Sequence, residues 1–338
     1  MRGYKLLLTG LLAVGFGAAV QAEQVRIYGE AHMSAEWLDD GDSSGMNTSS
    51  NATRIGFTAS TELQPGLTAI MQIEQGLRMD NGAGNWASRD TFVGLRGDFG
   101  TVRLGFMQSP LMMMRSRLDL FGNRIGDIRN ITKLNDQYGG KDWDRRLRNG
   151  IHYRSPAFNG FVGELHYSTN DTAGTSQDGR NEDVLSVGLG YTAGNLLVLG
   201  AWERAGGTRP QATRVAAQWQ HDDWTVMGLA QFARLRTAGN VDVYGVGVSR
   251  RWQDLTFKGH VFTTDSSLAD RDATMFALGA DWHLGERAVL YVTYAATRND
   301  RLANFNMSGG GAHGAELDLT GLQGNNPQGL AVGFIYPF

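Results

Sequence analysis

Apolar and polar residues alternate with a period of two along most of the chain. In residues 24–37, Val25, Ile27 and Met33 fall on one face, while Arg26 and Glu30 fall on the other. This pattern is typical of a β-strand with one dry face and one wet face. It recurs, mostly as two strands about a short turn, in residues 53–77, 89–106, 150–168, 183–203, 213–233, 243–264, 275–297 and 330–338.

The segments that join these strands are of two alternating kinds. Short turns at one end and long polar loops at the other are typical of outer-membrane barrels. We therefore predict an all-β fold, a transmembrane antiparallel β-barrel of about 16 strands. The predicted tight turns are 64–66 and 97–100, with further centres at 158–159, 193–194, 221–222, 253–254 and 284–285, and the long polar stretches are 38–51, 79–88, 170–181, 204–211, 235–240, 265–272 and 300–328.

A sheet that spans a membrane has to close on itself, because unpaired backbone groups are costly in lipid. The stretch 330–338 is therefore predicted to pair with the strand that begins near Gln24. Pro337 lies in this stretch and has no N–H to donate, which leaves pairing at that point open. The alternative fold is a soluble β-sandwich or propeller, but such a fold would not need short turns and long loops to alternate over the whole chain.

The first 22 residues have the pattern of a secretory signal peptide. Arg2 and Lys5 precede an apolar run from Leu6 to Val20, and Ala22 ends a small-x-small cleavage motif. The run is short for a membrane-spanning helix, which needs about 20 apolar residues. We therefore predict a cleaved signal peptide at 1–22 and one barrel domain at 23–338, located in the bacterial outer membrane.

Composition and motifs disfavour several kinds of site. The chain has no Cys, which excludes disulfides and thiolate metal sites, and 34 acidic against 31 basic residues do not indicate a nucleic-acid partner. The 7 His show no ligand spacing, and no G-x-S-x-G motif is present. We predict no metal site, no cofactor, no catalytic residues and no enzymatic activity.

The longest interruption of the strand pattern is residues 109–145. Loops beyond about 12–15 residues without structure of their own are usually functional. This one mixes apolar residues such as Leu111, Leu118 and Phe121 with many charges. A freely solvated outer loop would not need that apolar content, so we predict a loop that folds inward against the barrel wall.

Four segments match strand and loop positions of a known family. They are TRIGFTASTEL, RDTFVGLRGDFGTVRLGF, the insertion after the fifth strand, and RLRNGIHYRSPAFNGF. Together they resemble the second strand, the fourth and fifth strands, the constriction loop, and the sixth strand with the turn into the seventh, of the general trimeric porins of Gram-negative outer membranes. The resemblance implies sixteen strands and a third loop that narrows the channel.

The resemblance also implies a constriction where basic wall side chains face acidic groups of the loop. The wall arginines of the second, fourth and sixth strands fall on Arg54, Arg89 and Arg146. Because side chains alternate between the two faces of a strand, Arg148 is predicted to lie on the same face as Arg146, and Glu74 and Arg103 are predicted to point into the lumen. The loop candidates are Arg115, Arg117, Asp119, Arg124 and Asp127.

Passive diffusion of small hydrophilic solutes and ions through a water-filled channel is the function that the resemblance implies. It further implies a homotrimer, contacts with outer-membrane lipid and lipopolysaccharide, and recognition of Phe338 by the barrel-assembly machinery. Residues 110–145 hold seven basic and five acidic residues, so we expect weak anion preference or little selectivity. The alternatives are a substrate-selective porin, for example for an anionic nutrient, a barrel enzyme, or an adhesive barrel.

Overall fold

The structure, a computed structural model, describes residues 24–82, 86–134, 142–169, 183–206, 210–235, 239–308, 317–319 and 321–338. The predicted signal peptide at 1–22 lies outside these residues. Within the described ranges, no helix is long and apolar enough to cross a membrane.

Strands make up most of the described chain, with two helices between the sixth and seventh. The elements are β1 (Gln24–Asp39), β2 (Ser44–Ser50), β3 (Arg54–Gln64), β4 (Leu67–Gly76), β5 (Thr91–Gly97), β6 (Gly100–Gln108), α1 (Pro110–Leu118), α2 (Arg129–Thr132), β7 (Arg146–Arg154), β8 (Phe161–Ser168), β9 (Val184–Ala193), β10 (Leu196–Arg204), β11 (Gln211–His221), β12 (Trp224–Arg234), β13 (Asn240–Trp252), β14 (Leu255–Ser266), β15 (Ala273–Leu284), β16 (Ala288–Asn299) and β17 (Gln328–Pro337).

All strands pair antiparallel in one sheet, which the pairing of β17 with β1 closes. The first half of β1 pairs with β3 and the second half with β2, so β2 and β3 share one barrel position. Ala52, at φ 52°, marks the break between them. The barrel therefore has sixteen positions, which confirms the predicted fold. The predicted loop at 38–51 was too long, because β1 continues to Asp39 and because β2, apart from Met46, lacks the apolar face from which a strand was recognised.

Sequence alternation sorts side chains between the two faces of the barrel. Val187, Val246 and Leu278 point outward and remain 42%, 59% and 59% exposed, as lipid-facing residues do. Exposed Trp219, Trp252 and others lie beside the short turns, as in an interfacial girdle. The tight turns are also confirmed, since residues 159, 194, 222, 253 and 285 all have positive φ.

The closing strand resolves the question that Pro337 raised. Gly29 and Phe338 exchange both backbone hydrogen bonds, each at 3.0 Å. Pro337 lies opposite Glu30, and on its other side the pairing with β16 ends at Ile335. No ladder partner therefore needs an N–H from Pro337, so the proline leaves the seam intact.

Residues 109–145 are called the inner loop, and the described part of it, 109–134 and 142–145, folds against the barrel wall as predicted. Ser109 caps α1 by accepting a hydrogen bond from the backbone N–H of Met112. Leu111, Phe121, Ile125 and others in this loop are fully buried. They pack against inward-facing residues of the strands, many of them alanines such as Ala212, Ala277 and Ala295. Residues 135–141 of the loop, which include Asp136 and Lys141 of the charge count above, lie outside the described residues.

Candidate functional site: a constriction between the inner loop and the wall

A buried ion pair anchors the end of the inner loop. Arg214 of β11 donates two hydrogen bonds to the Asp144 carboxylate, at 2.8 and 3.0 Å, and one to the carbonyl of Leu111 at 3.1 Å. The hydroxyl of Thr132 donates to the same carboxylate, and Gln231 of β12 accepts from Arg214. Both charged side chains are fully buried. This node therefore ties α1, α2 and the end of the loop to β11 and β12.

Arg124 fastens the middle of the inner loop to the wall formed by β14–β16. Its guanidinium donates to Asp281 at 2.6 and 3.3 Å, and Lys258 donates to the same carboxylate at 2.8 Å. The Arg124 guanidinium also lies 3.9 Å from the centre of the Tyr291 ring, within range of a cation–π contact. The loop is thus held on two sides of the barrel.

Two loop carboxylates, Asp119 and Asp127, are used inside the loop itself. Asp119 accepts hydrogen bonds from the backbone N–H groups of Phe121 and Ile128, at 2.9 and 3.2 Å. Asp127 accepts from Arg115 at 3.1 Å and from Arg129 at 2.7 Å. Neither acid pairs with a wall arginine, which differs from the expected opposition of loop acids and wall bases. Both acids act within the loop instead, through these hydrogen bonds.

Burial and the neighbouring Asp127 carboxylate raise the pKa of Asp119 to about 8. The pKa of Asp127 moves the other way: burial raises it, but Arg115 and Arg129 outweigh burial and hold it well below its usual range. The two carboxyls therefore titrate as a coupled pair, in which Asp119 takes up a proton more readily than Asp127.

Wall arginines on the far side of the cavity are balanced by wall acids. Arg54 donates to Glu30 at 2.8 Å, and its Nε lies 3.9 Å from Glu74. Glu74 also accepts from Arg89 and, at 2.9 Å, from the hydroxyl of Tyr28. The four charged side chains, Glu30, Arg54, Glu74 and Arg89, thus alternate in sign across neighbouring strands.

Arg146 completes the wall, where its Nε donates to Asp90. The constriction cavity lies between this wall, the inner loop and Lys258, and it encloses about 540 Å³. Seven basic side chains and four acidic ones line it, so its lining is net positive. They are Arg54, Arg89, Arg115, Arg124, Arg129, Arg146 and Lys258, with Glu74, Asp90, Asp119 and Asp281.

The structure therefore brings together seven of the predicted site residues. These are Arg54, Arg89, Arg146, Glu74, Arg115, Asp119 and Arg124. Asp127 lies directly behind them, bonded to Arg115. Arg103 and Arg117 do not line the cavity and lie nearer the short turns.

Arg148 differs from its prediction. The pairing of β6 with β7 shifts between Gly105 and Met107, so two residues of β7 lie opposite one of β6, and Asn149 has φ 51°. Such a bulge interrupts the alternation on which the assignment relied. Arg148 is exposed, with its guanidinium 6.0 Å from the centre of the Phe106 ring, and it does not line the cavity.

Comparison with known families decides the identity of this architecture. The model of the family described as Gram-negative porin matches residues 8–302, most of the chain. The chain belongs to the Gram-negative porin family. The predicted resemblance is thereby confirmed for the family and for its barrel fold.

Curated relatives of this porin are major outer membrane proteins P.IB of Neisseria. The protein of Neisseria gonorrhoeae is 32% identical over 158 residues, which cover 45% of this chain and 42% of that protein. The protein of Neisseria lactamica is 29% identical over 149 residues, covering 44% and 41%. The alignments thus span about two fifths of the length of these relatives.

Solved structures share the fold of this porin over nearly its whole length. An anion-selective porin from Comamonas acidovorans superposes with a TM-score of 0.74 at 22% identity, covering 94% of this chain and 100% of that one. The trimer form of OmpT from Vibrio cholerae superposes with a TM-score of 0.68 at 15% identity, covering 94% and 100%.

Sequence reasoning missed the anchors of the inner loop, namely Arg214, Lys258 and Asp281. Their partners are distant in sequence, 70 residues apart for Arg214 and Asp144. One signal was available, since Arg214 stands on the wet face of its strand between Ala212 and Ala216, where small side chains leave room for a loop. Among the described residues, no group of three His, Cys, Asp or Glu could hold a metal ion.

Proposed function

We propose that this chain is an outer-membrane porin, a water-filled channel for passive diffusion of small hydrophilic solutes and ions. The observation that carries the proposal is the constriction cavity. A loop anchored to the wall by the Asp144–Arg214 and Arg124–Asp281 pairs leaves a polar space lined mostly by charged and amide side chains. Such a lining gives hydrated solutes a favourable path and disfavours apolar ones.

The proposal extends to assembly. Residues 1–22 act as the cleaved signal peptide, the inner loop acts as the constriction loop, and the short-turn end faces the periplasm. Phe338 serves as the recognition point for the barrel-assembly machinery, and three copies form a homotrimer in contact with lipid and lipopolysaccharide. Support comes from the family, from trimeric porins among the superposed structures, and from the exposed apolar outer face. The chemistry needed is binding and diffusion, not catalysis.

The net positive lining supports weak anion preference, which reversal potentials in planar bilayers under a potassium chloride gradient will test. We expect chloride to be slightly favoured in the unaltered chain. Glu74→Gln removes one negative charge from the lining and should raise the chloride-to-potassium permeability ratio about twofold, the effect on two ions of opposite sign of one unit charge at roughly 8 Å in water that is screened by about 0.1 M salt.

The matched control for Glu74→Gln is Asp222→Asn. Its carboxyl is 82% exposed at a short turn, and the substitution makes the same change of charge. It should change the ratio much less. Strong cation preference in the unaltered chain, or equal shifts for both variants, would contradict an anion-favouring constriction. Current that saturates with one solute would favour a substrate-selective porin.

A further inference from the structure

Three arginines and one carboxylate form a second charged group, nearer the short turns than the constriction. Arg103 lies on β6, Arg154 ends β7, Glu164 lies on β8, and Arg117 lies in the last turn of α1. We call these four residues the lower arginine cluster. None of them lines the constriction cavity, and Arg103 is roughly 16 Å along the strand from Gln108, which does.

The wall members of the cluster point into the lumen. Their sequence neighbours Leu104, Tyr153 and Leu165 are exposed on the outer face, and side chains alternate along a strand. Arg154 pairs directly with Glu164 in the β7–β8 register. The cluster therefore lies on the inner surface, where solutes that leave the constriction would pass.

Charge within the cluster is not balanced. Glu164 Oε1 accepts a hydrogen bond from Arg154 and lies 3.9 Å from Arg117 Nη2, so one carboxylate serves two arginines. Arg103 lies within electrostatic range of Asp90, Glu164 and Arg154, but it makes no hydrogen bond to a carboxylate anywhere in the described part of the chain. Asp90, an acid of the constriction wall, is already bonded to Arg146. Its guanidinium instead lies 5.0 Å from the centre of the Phe92 ring.

The cluster also contains a hydrogen-bond donor that has no acceptor in the ranges that the structure describes. The Arg103 Nε–H is buried without an acceptor among the described residues. The side chains of Arg117 and Arg154 stay 35% and 36% exposed. At the constriction, by contrast, Arg54, Arg89 and Arg146 each have a carboxylate partner. If Asp90 and its partner Arg146 are counted together with the cluster, four arginines face two carboxylates, which leaves a formal surplus of two positive charges.

We propose that the lower arginine cluster is a second, separate binding site, which takes a small tetrahedral oxyanion with two negative charges, such as sulfate or hydrogen phosphate. This proposal rests on the proposed channel function. Arg103 and Arg154 donate from the wall, and Arg117 donates from the inner loop. Guanidinium groups suit this ligand because their forked N–H donors match oxyanion geometry. The dianion neutralises the surplus and supplies acceptors to Arg103.

Sulfate is the probe, added to potassium chloride during single-channel recording of the full chain. We expect sulfate to reduce the chloride current with saturation. Arg103→Gln should raise the half-blocking sulfate concentration about tenfold, the effect of losing one charge-assisted hydrogen bond. Glu164→Gln should lower it, because the competing carboxylate is gone. Arg301→Gln, a 74% exposed arginine paired with Asp270 on outer loops, makes the same change of charge and should leave it unchanged.

Two results would overturn the site: an unchanged half-blocking concentration in Arg103→Gln, or weaker block in Glu164→Gln. A complete absence of chloride conductance in the unaltered chain would instead overturn the channel function. In that case, binding of radiolabelled sulfate to the detergent-purified protein tests whether the sulfate site exists. Tighter binding to the unaltered chain than to Arg103→Gln supports it, and equal binding overturns it.

Discussion

Asp144→Ala is expected to release the inner loop from the wall and to give a larger, noisier single-channel conductance. Arg214 would keep its charge in a fully buried position after losing its partner. Breaking a buried ion pair in this way costs about 3–5 kcal/mol. The barrel strands do not depend on this contact, so we expect the barrel to stay folded while trypsin gains access to Arg115, Arg124 and Arg129.

The matched control for Asp144→Ala is Asp242→Ala. It also removes a carboxylate from an arginine, but Arg234 is 40% exposed, and such pairs contribute only about 0–1 kcal/mol. Its conductance and protease resistance should equal those of the unaltered chain. A double variant, Arg214→Met with Asp144→Leu, should restore quiet conductance, because apolar replacements fill the same space without a stranded charge. Quiet, protease-resistant channels in Asp144→Ala would refute the anchoring role.

Asp127→Asn and Asp119→Asn are expected to have opposite outcomes although they change neighbouring carboxyls in the same way. Asp127 is ionised and neutralises buried Arg115 and Arg129, so Asp127→Asn should loosen the inner loop by about 3 kcal/mol or more. Asp119 holds a proton more readily than Asp127, because burial and the Asp127 carboxylate raise its pKa. Asp119→Asn should therefore change the loop little at pH 7.

The two acids also predict opposite pH dependences. A folded pKa above the unfolded one means that Asp119 makes the loop less stable as pH rises toward 8, with no further loss beyond. Asp127, whose folded pKa is lowered, contributes stability that is lost only as pH falls below its unfolded value. Tryptic cleavage rates of the loop at pH 6 and pH 9 will test this. The ratio of the cleavage rate at pH 9 to the rate at pH 6 should be larger for the unaltered chain than for Asp119→Asn. The variant lacks the titrating carboxyl, so its ratio reports the pH dependence of trypsin itself. Equal ratios in both would contradict the shared proton.

The barrel could be predicted because its cause is local. Alternation places each side chain inside or outside, and turn residues such as Asn159 and Gly285 mark the reversals. The inward direction of the loop also follows from its apolar content. Arg54, Arg89 and Arg146 were found because strand parity and the family resemblance agree on them.

Other parts of the site could not be predicted, for three physical reasons. The alternation failed for Arg148 because a bulge at Asn149 resets it. The only local sign of the bulge is the Asn149-Gly150 pair, which does not by itself fix how many residues bulge out. The partner of Arg124 could not be named because Asp281 lies 157 residues away. The role of Asp119 was misjudged because a loop carboxylate can accept hydrogen bonds from backbone N–H groups of its own loop as readily as it can pair with a wall arginine.

Swelling of liposomes that contain the purified chain tests the channel most directly, with a pentose, a disaccharide and a tetrasaccharide as uncharged solutes. A water-filled channel narrowed by an anchored loop predicts rapid swelling with the pentose, slower swelling with the disaccharide and almost none with the tetrasaccharide. Asp144→Ala should raise the rates for the larger sugars. The absence of swelling with the pentose, or equal rates for all three sugars, would contradict a size-selective diffusion channel.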